Sequence, residues 1–308
     1  MAVTGATFDL ARTRGRGPAD VLRSFATAAR LGWQMEANWT DPLLFFIYSV
    51  AKPISSTLIF VVMIDVIGGP AIRDLRGYVV VGTALWSFVM SGIAGLAWSV
   101  LDDRERYRML KYVYVSPSEF IVVLLGRGVA RVAVGAMATL ITLVLGVVAL
   151  GVSFDPAGID WPLLIVSMAI GLVAIVAIGV MLAAVCIQTR QEAWSYPEAA
   201  AGALFLISGA VFPLAVLPVP VQVIGLLNPL SWWLEGIRQA LLPAGLSGVG
   251  GPGSLLAEVT RSNAPGSVEI VAALLGTGAL VTLAAIVGFR LSDRRAKDRG
   301  LFDQTTGS

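Results

Sequence analysis

The sequence predicts an all-α protein that crosses a membrane several times, and three observations carry that prediction. Of 308 residues, 56% are hydrophobic and only 14% charged, and the mean hydropathy is +0.81, well outside the range of soluble domains. Several apolar runs reach the roughly 20 residues that cross about 30 Å of hydrocarbon. Finally, the apolar stretch from Ser208 to Leu242 is interrupted by Pro213, Pro218, Pro220 and Pro229, with Pro243 just beyond, and carries Glu235 and Arg238. Each proline removes a backbone donor and clashes with the preceding turn. Such a stretch is not one simple span. At bilayer depth it needs protein or a water-filled cavity around its freed backbone groups.

Residues 1–19 read as a flexible tail. Residues 20–38 read as an amphipathic helix, with Arg23, Thr27, Arg30 and Gln34 on one face and Leu22, Phe25, Ala29 and Trp33 on the other. That pattern suits the plane of the cytoplasmic interface; a helix packed on a partner is the alternative. A transmembrane domain is expected over 39–290, with spans near 43–66, 77–101, 119–150, 161–187, 195–217 and 267–290. Lys52, in the first, either faces a cavity or snorkels, because a mid-bilayer charge costs about 2.5–3.5 kcal/mol. Gly82, Gly92 and Gly95 in the second let helices approach closely.

The segment Leu101–Pro117 is the most charged part of the interior sequence. At helical spacing Arg104, Arg108 and Lys111 share one face, and Tyr107, Leu110 and Tyr114 another. A short amphipathic helix of this kind suits a groove on a cytoplasmic partner, although any cytoplasmic loop carries charge. Arg127 and Arg131 open the third span, where they snorkel to lipid phosphates or line an entrance for an anionic cargo. Glu198 is an acid near membrane depth in the fifth. Residues 243–266, rich in Gly, Ser and Pro, read as an external loop, and 291–308 as a charged cytoplasmic tail.

Charge sets the orientation. Most of the 22 Lys and Arg fall on one side: Arg12 to Arg30 before the first span, Arg104 to Lys111 after the second, Arg190 after the fourth, and Arg290 to Arg299 after the sixth. The positive-inside rule then puts both termini in the cytoplasm. The first 20 residues are polar and Arg-rich, so no cleavable signal peptide is expected. The chain has no His and a single cysteine, Cys186. His-based zinc sites, Ser–His or Cys–His nucleophiles and an intrachain disulfide are therefore excluded. It also lacks a GxxxxGK[ST] phosphate loop; any ATP it depends on is hydrolysed by another polypeptide.

In order and spacing, these motifs resemble the permease subunit of type-2 ATP-binding-cassette transporters, which export drugs, polysaccharides and lipids. The resemblance runs through DDRERYRMLKYVYVSPSEF, then Ser208-Gly209, Phe212-Pro213, Leu217-Pro218, Asn228-Pro229-Leu230 and Arg238. It implies that residues 20–38 are an interface helix and that 102–116 are a coupling helix docking into a nucleotide-binding subunit. Residues 218–242 would be a re-entrant hairpin between spans five and six. The implied assembly has two permease chains, identical or paralogous, and two ATPase chains that use ATP and Mg, all in the cytoplasmic membrane of a prokaryote. No catalytic residue, metal, cofactor of this chain or nucleic-acid partner is implied; membrane lipid surrounds it.

With the termini inside, the broken stretch falls at the outer end and reads as an exit gate. Pro213, Pro218, Asn228, Pro229, Trp232, Trp233 and an ion pair Glu235–Arg238 would build it, and loss of transport on cross-linking Trp232 or Trp233 across two protomers is expected only for a moving gate. Lys52, Arg127, Arg131 and Glu198 are the candidates for the cargo path. A membrane-embedded lipid-modifying enzyme with Glu198 or Glu235 as base is the alternative function, weakened because Arg238 at i+3 already partners Glu235. A channel or secondary transporter would show helix breaks in both halves, whereas here they concentrate in the second.

Overall fold

The computed structural model describes residues 17–37, 54–63, 75–116, 118–152, 156–189, 193–242 and 246–299, together with positions 41, 47, 51 and 66. The tail up to residue 16, Lys52 and nearly half of the first expected span, Pro117, Arg190, Pro243 and residues 300–308 lie outside the described residues. So do the side chains of Lys111 and Tyr114.

All regular structure among the described residues is helical. Helix α1 (Pro18–Ala37) starts on a proline with Asp20 in its first turn, where a missing N–H costs nothing and a negative charge meets the helix dipole. A short apolar helix α2 covers Ile54–Met63. Helix α3 (Leu75–Leu101) continues into a π-helical turn, Asp102–Arg106, and a short α4 (Leu110–Val115) follows. Helix α5 (Phe120–Leu150) ends on Gly151 at φ 68°, the left-handed C-terminal position that favours glycine. Helix α6 (Trp161–Gln188) is capped by Asp160, which accepts from the Leu163 N–H, with Pro162 in the first turn.

The second half is shorter-stepped. Helix α7 (Ser195–Ile207), α8 (Val219–Leu227), α9 (Pro229–Leu241), α10 (Leu255–Thr260) and the long α11 (Ser267–Arg299) complete the chain. Among the described residues, four helices are long and apolar enough to cross a membrane: Leu75–Arg106, Phe120–Val148, Trp161–Gln188 and Ser267–Asp298.

Within the expected fifth span, 195–217, the helix is shorter than the span. Helix α7 stops at Ile207, and its 13 residues cover only about 20 Å. The chain then turns at Gly209, held at φ 71°, and a single 3₁₀ turn covers Leu214–Val216. The prolines of this stretch do not kink a continuous helix. Pro218 and Pro220 start α8 and Pro229 starts α9, positions where the absent N–H would have been unpaired anyway.

Helix α3 is buried nearly all round, from Tyr78 to Leu101. A helix apolar on every side belongs at the centre of a bundle, and α3 packs between α5 and α6. Glycines set these approaches. A Cβ on Gly92 would enter the Ile175 side chain of α6, and one on Gly179 would sit 2.8 Å from the Gly92 carbonyl. A Cβ on Gly171 of α6 would enter the Trp233 ring of α9, which also stacks on Phe88 of α3 at 5.9 Å. Around this core, α11 presents Val268, Leu280 and Leu283 outward, as a lipid-facing helix does.

Helix α1 departs from the expected division into faces. The polar residues Arg23, Thr27, Arg30 and Gln34 are exposed, but Leu22 and Trp33 of the apolar face are exposed too. The buried positions are Ala28 and Gly32. A Cβ on Gly32 would lie 2.9 Å from the Arg127 carbonyl of α5, and one on Gly126 2.7 Å from the Phe25 carbonyl. The smallest residues, not the largest, set where α1 docks.

Gly171→Val therefore overpacks the α6–α9 contact and costs about 1–3 kcal/mol, read by equilibrium SDS unfolding in micelles. Gly276→Ala, where an added Cβ meets nothing within 4 Å, serves as the control and changes stability little or raises it. Equal effects of the two would refute the packing assignment.

Candidate functional site

Two clusters of charge lie at opposite ends of α3. The first gathers where α3 unwinds. Asp102 and Asp103 open the π-helical turn, in which the Tyr107 N–H donates to the Asp102 carbonyl at 2.8 Å. The buried Asp103 pairs with the buried Arg127 of α5. One turn along α5, Arg131 reaches Asp102 at 3.0 Å and Glu36 of α1 at 3.1 Å. Glu36, Asp102, Arg127 and Arg131 line a polar cavity of about 50 Å³ together with Gly32, Ser99 and Tyr107. Three helices are thus tied at one point by ion pairs.

Arg104 leaves the face predicted for it. It is 6% exposed, and its Nη1 donates to the carbonyls of Cys186 at 3.0 Å and Thr189 at 2.8 Å, while Nε meets Glu105 at 2.7 Å. It therefore caps the C-terminal end of α6, where carbonyls lack an intrahelical partner. The physical reason is the π-helical turn. It shifts the phase of the side chains, and the helix then breaks at Arg108, whose φ of 50° is left-handed and rare for a side-chain-bearing residue. Residues 102–116 are not one helix.

What that segment presents to solvent also differs from expectation. Leu110 is buried, whereas Arg106, Tyr107, Arg108, Tyr112 and Val115 are exposed. Tyr107 lies within cation–π range of Arg106 and Arg127. Lys111 stands on α4 beside them. Arg127 and Arg131 both pair with acids of the chain. Glu198 is exposed in the first turn of α7.

The second cluster surrounds Arg238 of α9. Its Nη1 donates to Gly209 O at 2.8 Å and Nη2 to Ala210 O at 2.5 Å, carbonyls left open where α7 ends. Its guanidinium lies 3.6 Å over the Tyr78 ring of α3, and the Tyr78 hydroxyl donates to Gly209 O at 2.5 Å. Gly82, where a Cβ would enter both Ala210 O and Arg238, makes room for this approach. Glu235 accepts from Ser247 Oγ at 2.5 Å and from Gly248 N–H at 2.6 Å.

The expected direct Glu235–Arg238 ion pair is absent among the described residues. Each charge instead satisfies backbone: Arg238 the end of α7, Glu235 the loop 246–250. Asn228 caps α9 by accepting from Leu230 N–H at 3.1 Å. Trp232 donates to Leu226 O at 2.7 Å, and Trp233 is fully buried. Both indoles are thus enclosed within this chain. Pro213 and Pro218 flank the 3₁₀ turn in extended conformation.

Glu36, Asp102, Asp103, Tyr78 and Ser247 complete the clusters and were not singled out in the sequence. The acids at 102–103 were visible within the charged run. Nothing about Tyr78, inside an apolar span, marks it.

The family model described as ABC-2 type transporter matches residues 28–242, which takes in the first cluster and all of the second but Ser247 and Gly248. No curated protein matches the chain.

Removing one partner of a buried pair leaves an uncompensated charge and costs about 3–5 kcal/mol. Arg127→Met is therefore expected to destabilise the protein by that order, and the double variant Arg127→Met/Asp103→Leu to recover most of it. An SDS unfolding cycle measures this. A double variant no better than the single one would mean that the pair does not act as a unit.

Proposed function

The chain belongs to the ABC-2 type transporter family and is a membrane permease component of such a transporter, and we propose that it moves an amphipathic, lipid-linked, polysaccharide or drug-like cargo outward across the cytoplasmic membrane of a prokaryote. Separate nucleotide-binding subunits supply the energy, and ATP and Mg are theirs. In this reading the working unit is two permease chains, copies or paralogues, with two ATPase chains. The permease has six spans and both termini in the cytoplasm.

One observation carries the coupling mechanism: the exposed segment 106–115 hangs from the charged cluster that ties α1, α3 and α5 together. ATP binding would close the motor subunits and displace this segment. The ion pairs then pass the displacement to three helices at once, and Arg104 passes it to α6. Tyr107, Arg108, Lys111 and Tyr114 belong to the docking surface on this reading. The cluster at Arg238 steadies the opposite, external end, where α8 and α9 form the re-entrant element. The enzyme reading has no observation in its favour, since both oxygens of Glu235 already serve Ser247 and Gly248.

Purified from native membranes, the protein is expected to carry a Walker-motif ATPase. Tyr107→Ala or Arg108→Glu is expected to weaken that association about fivefold or more, the range of Tyr and Arg hot spots, and to lower coupled ATP hydrolysis without abolishing membrane insertion. Unchanged coupling in both variants would remove the docking assignment. Orientation is tested separately in a Cys186→Ala background. A membrane-impermeant maleimide should label Arg294→Cys only from the cytoplasmic side and Ser262→Cys only from outside; labelling of both from one side would contradict the topology.

A further inference from the structure

Between α5, α6 and α11 lies a cleft of about 910 Å³, at the top of the range of about 300–1,000 Å³ for small-molecule sites. Its walls are apolar: Leu125 of α5, Leu172, Val176 and Val180 of α6, and Ala285 and Phe289 of α11. Its mouth is polar and lies where α5 begins and α11 leaves its apolar stretch, at Ser118, Glu119, Arg290, Asp293 and Lys297. Asp293 holds Lys297 at 2.5 Å. Arg290 and, one turn on, Arg294 are exposed and make no ion pair or hydrogen bond to the described residues. The charges that line the mouth balance, Arg290 and Lys297 against Glu119 and Asp293, and the surplus of positive charge comes from Arg294, one turn beyond the lining.

An apolar trough with unpaired cations at one end has the chemistry of an anionic glycerophospholipid site: acyl chain along the helices, phosphodiester at the arginines. A second groove between α6 and α11, about 420 Å³, runs from Asp160 to Leu275 and has no cation in its lining, so nothing there selects a headgroup. We propose that the α5–α6–α11 cleft binds an anionic glycerophospholipid from the leaflet at the C-terminal end of α11. The proposal rests only on these three helices lying in a membrane.

The test reconstitutes the full chain in phosphatidylcholine nanodiscs that contain a minor fraction of photoactivatable phosphatidylglycerol. Adducts are expected on residues 172–180 and 282–289, with much less labelling by photoactivatable phosphatidylcholine. Arg290→Gln should lower labelling about fivefold, the factor for one basic residue near an anionic lipid. Val173→Trp, at an exposed lining position, should fill the cleft and abolish labelling, and Val166→Trp in the second groove should leave it intact. Equal labelling by the two lipids overturns the proposal, as does indifference to Arg290→Gln or to Val173→Trp. Monodisperse elution of each variant separates these results from misfolding.

Discussion

Backbone ends inside this bundle need partners, and buried charges supply them. Arg238 is the key case: it holds Gly209 O and Ala210 O where α7 stops. In hydrocarbon those carbonyls would otherwise each cost several kcal/mol. Arg104 does the same for α6 through Cys186 and Thr189, and Glu235 does the reverse, accepting the Gly248 N–H. Once helix ends can be capped by side chains from neighbouring helices, the chain is free to break its spans. The interrupted second half of the fold depends on that.

This accounts for why charge survives in so apolar a chain. A lone arginine at this depth would be expensive, but one that replaces two lost helical hydrogen bonds offsets its own desolvation. Tyr78 adds a second donor to Gly209 O and an aromatic face against the guanidinium. The same residue pattern was legible in the sequence only as a probable helix-surface pair, because Glu235 and Arg238 stand three apart. Spacing along one helix cannot reveal that each side chain turns instead toward backbone more than ten residues away, at 209–210 and 247–248.

Legibility followed the range of the interaction. The long apolar runs that became α3, α5, α6 and α11 were readable from composition, since each residue's contribution is local and additive. The break of α7 at Ile207 was not, because Leu-, Ala- and Val-rich sequence continues past it and only the capping of Gly209 and Ala210 makes termination tolerable there. The charged run at 102–111 was readable as a polar segment but not as a π-helical turn. The turn depends on Asp102 and Asp103 meeting Arg131 and Arg127 from another helix, and on Arg108 accepting a left-handed backbone. Similarly, the docking face of α1 was hidden by its large residues: Ala28 and Gly32 look inert in a sequence, yet they allow α5 to come within backbone contact.

For a permease of this family, the distribution of tight and loose contacts constrains what can move. Interfaces packed at glycine distance, such as Gly92–Ile175 and Gly179–Gly92 between α3 and α6, have no slack; they transmit displacement rather than absorb it. A push delivered near Arg108 would therefore reach α1, α3, α5 and α6 as one body. Helix α11 is held differently. Near its C-terminal end Ser292 bonds Ala184 O and Gln188, at its other end Gly236 of α9 approaches Ile270, and between them the cleft opens to lipid. Relative motion in such a bundle is cheapest where few close contacts must be exchanged. That condition is met between α5 and α11, where the cleft opens, and not along α3 or between α6 and α11, so the seam that can adjust is the α5–α11 gap.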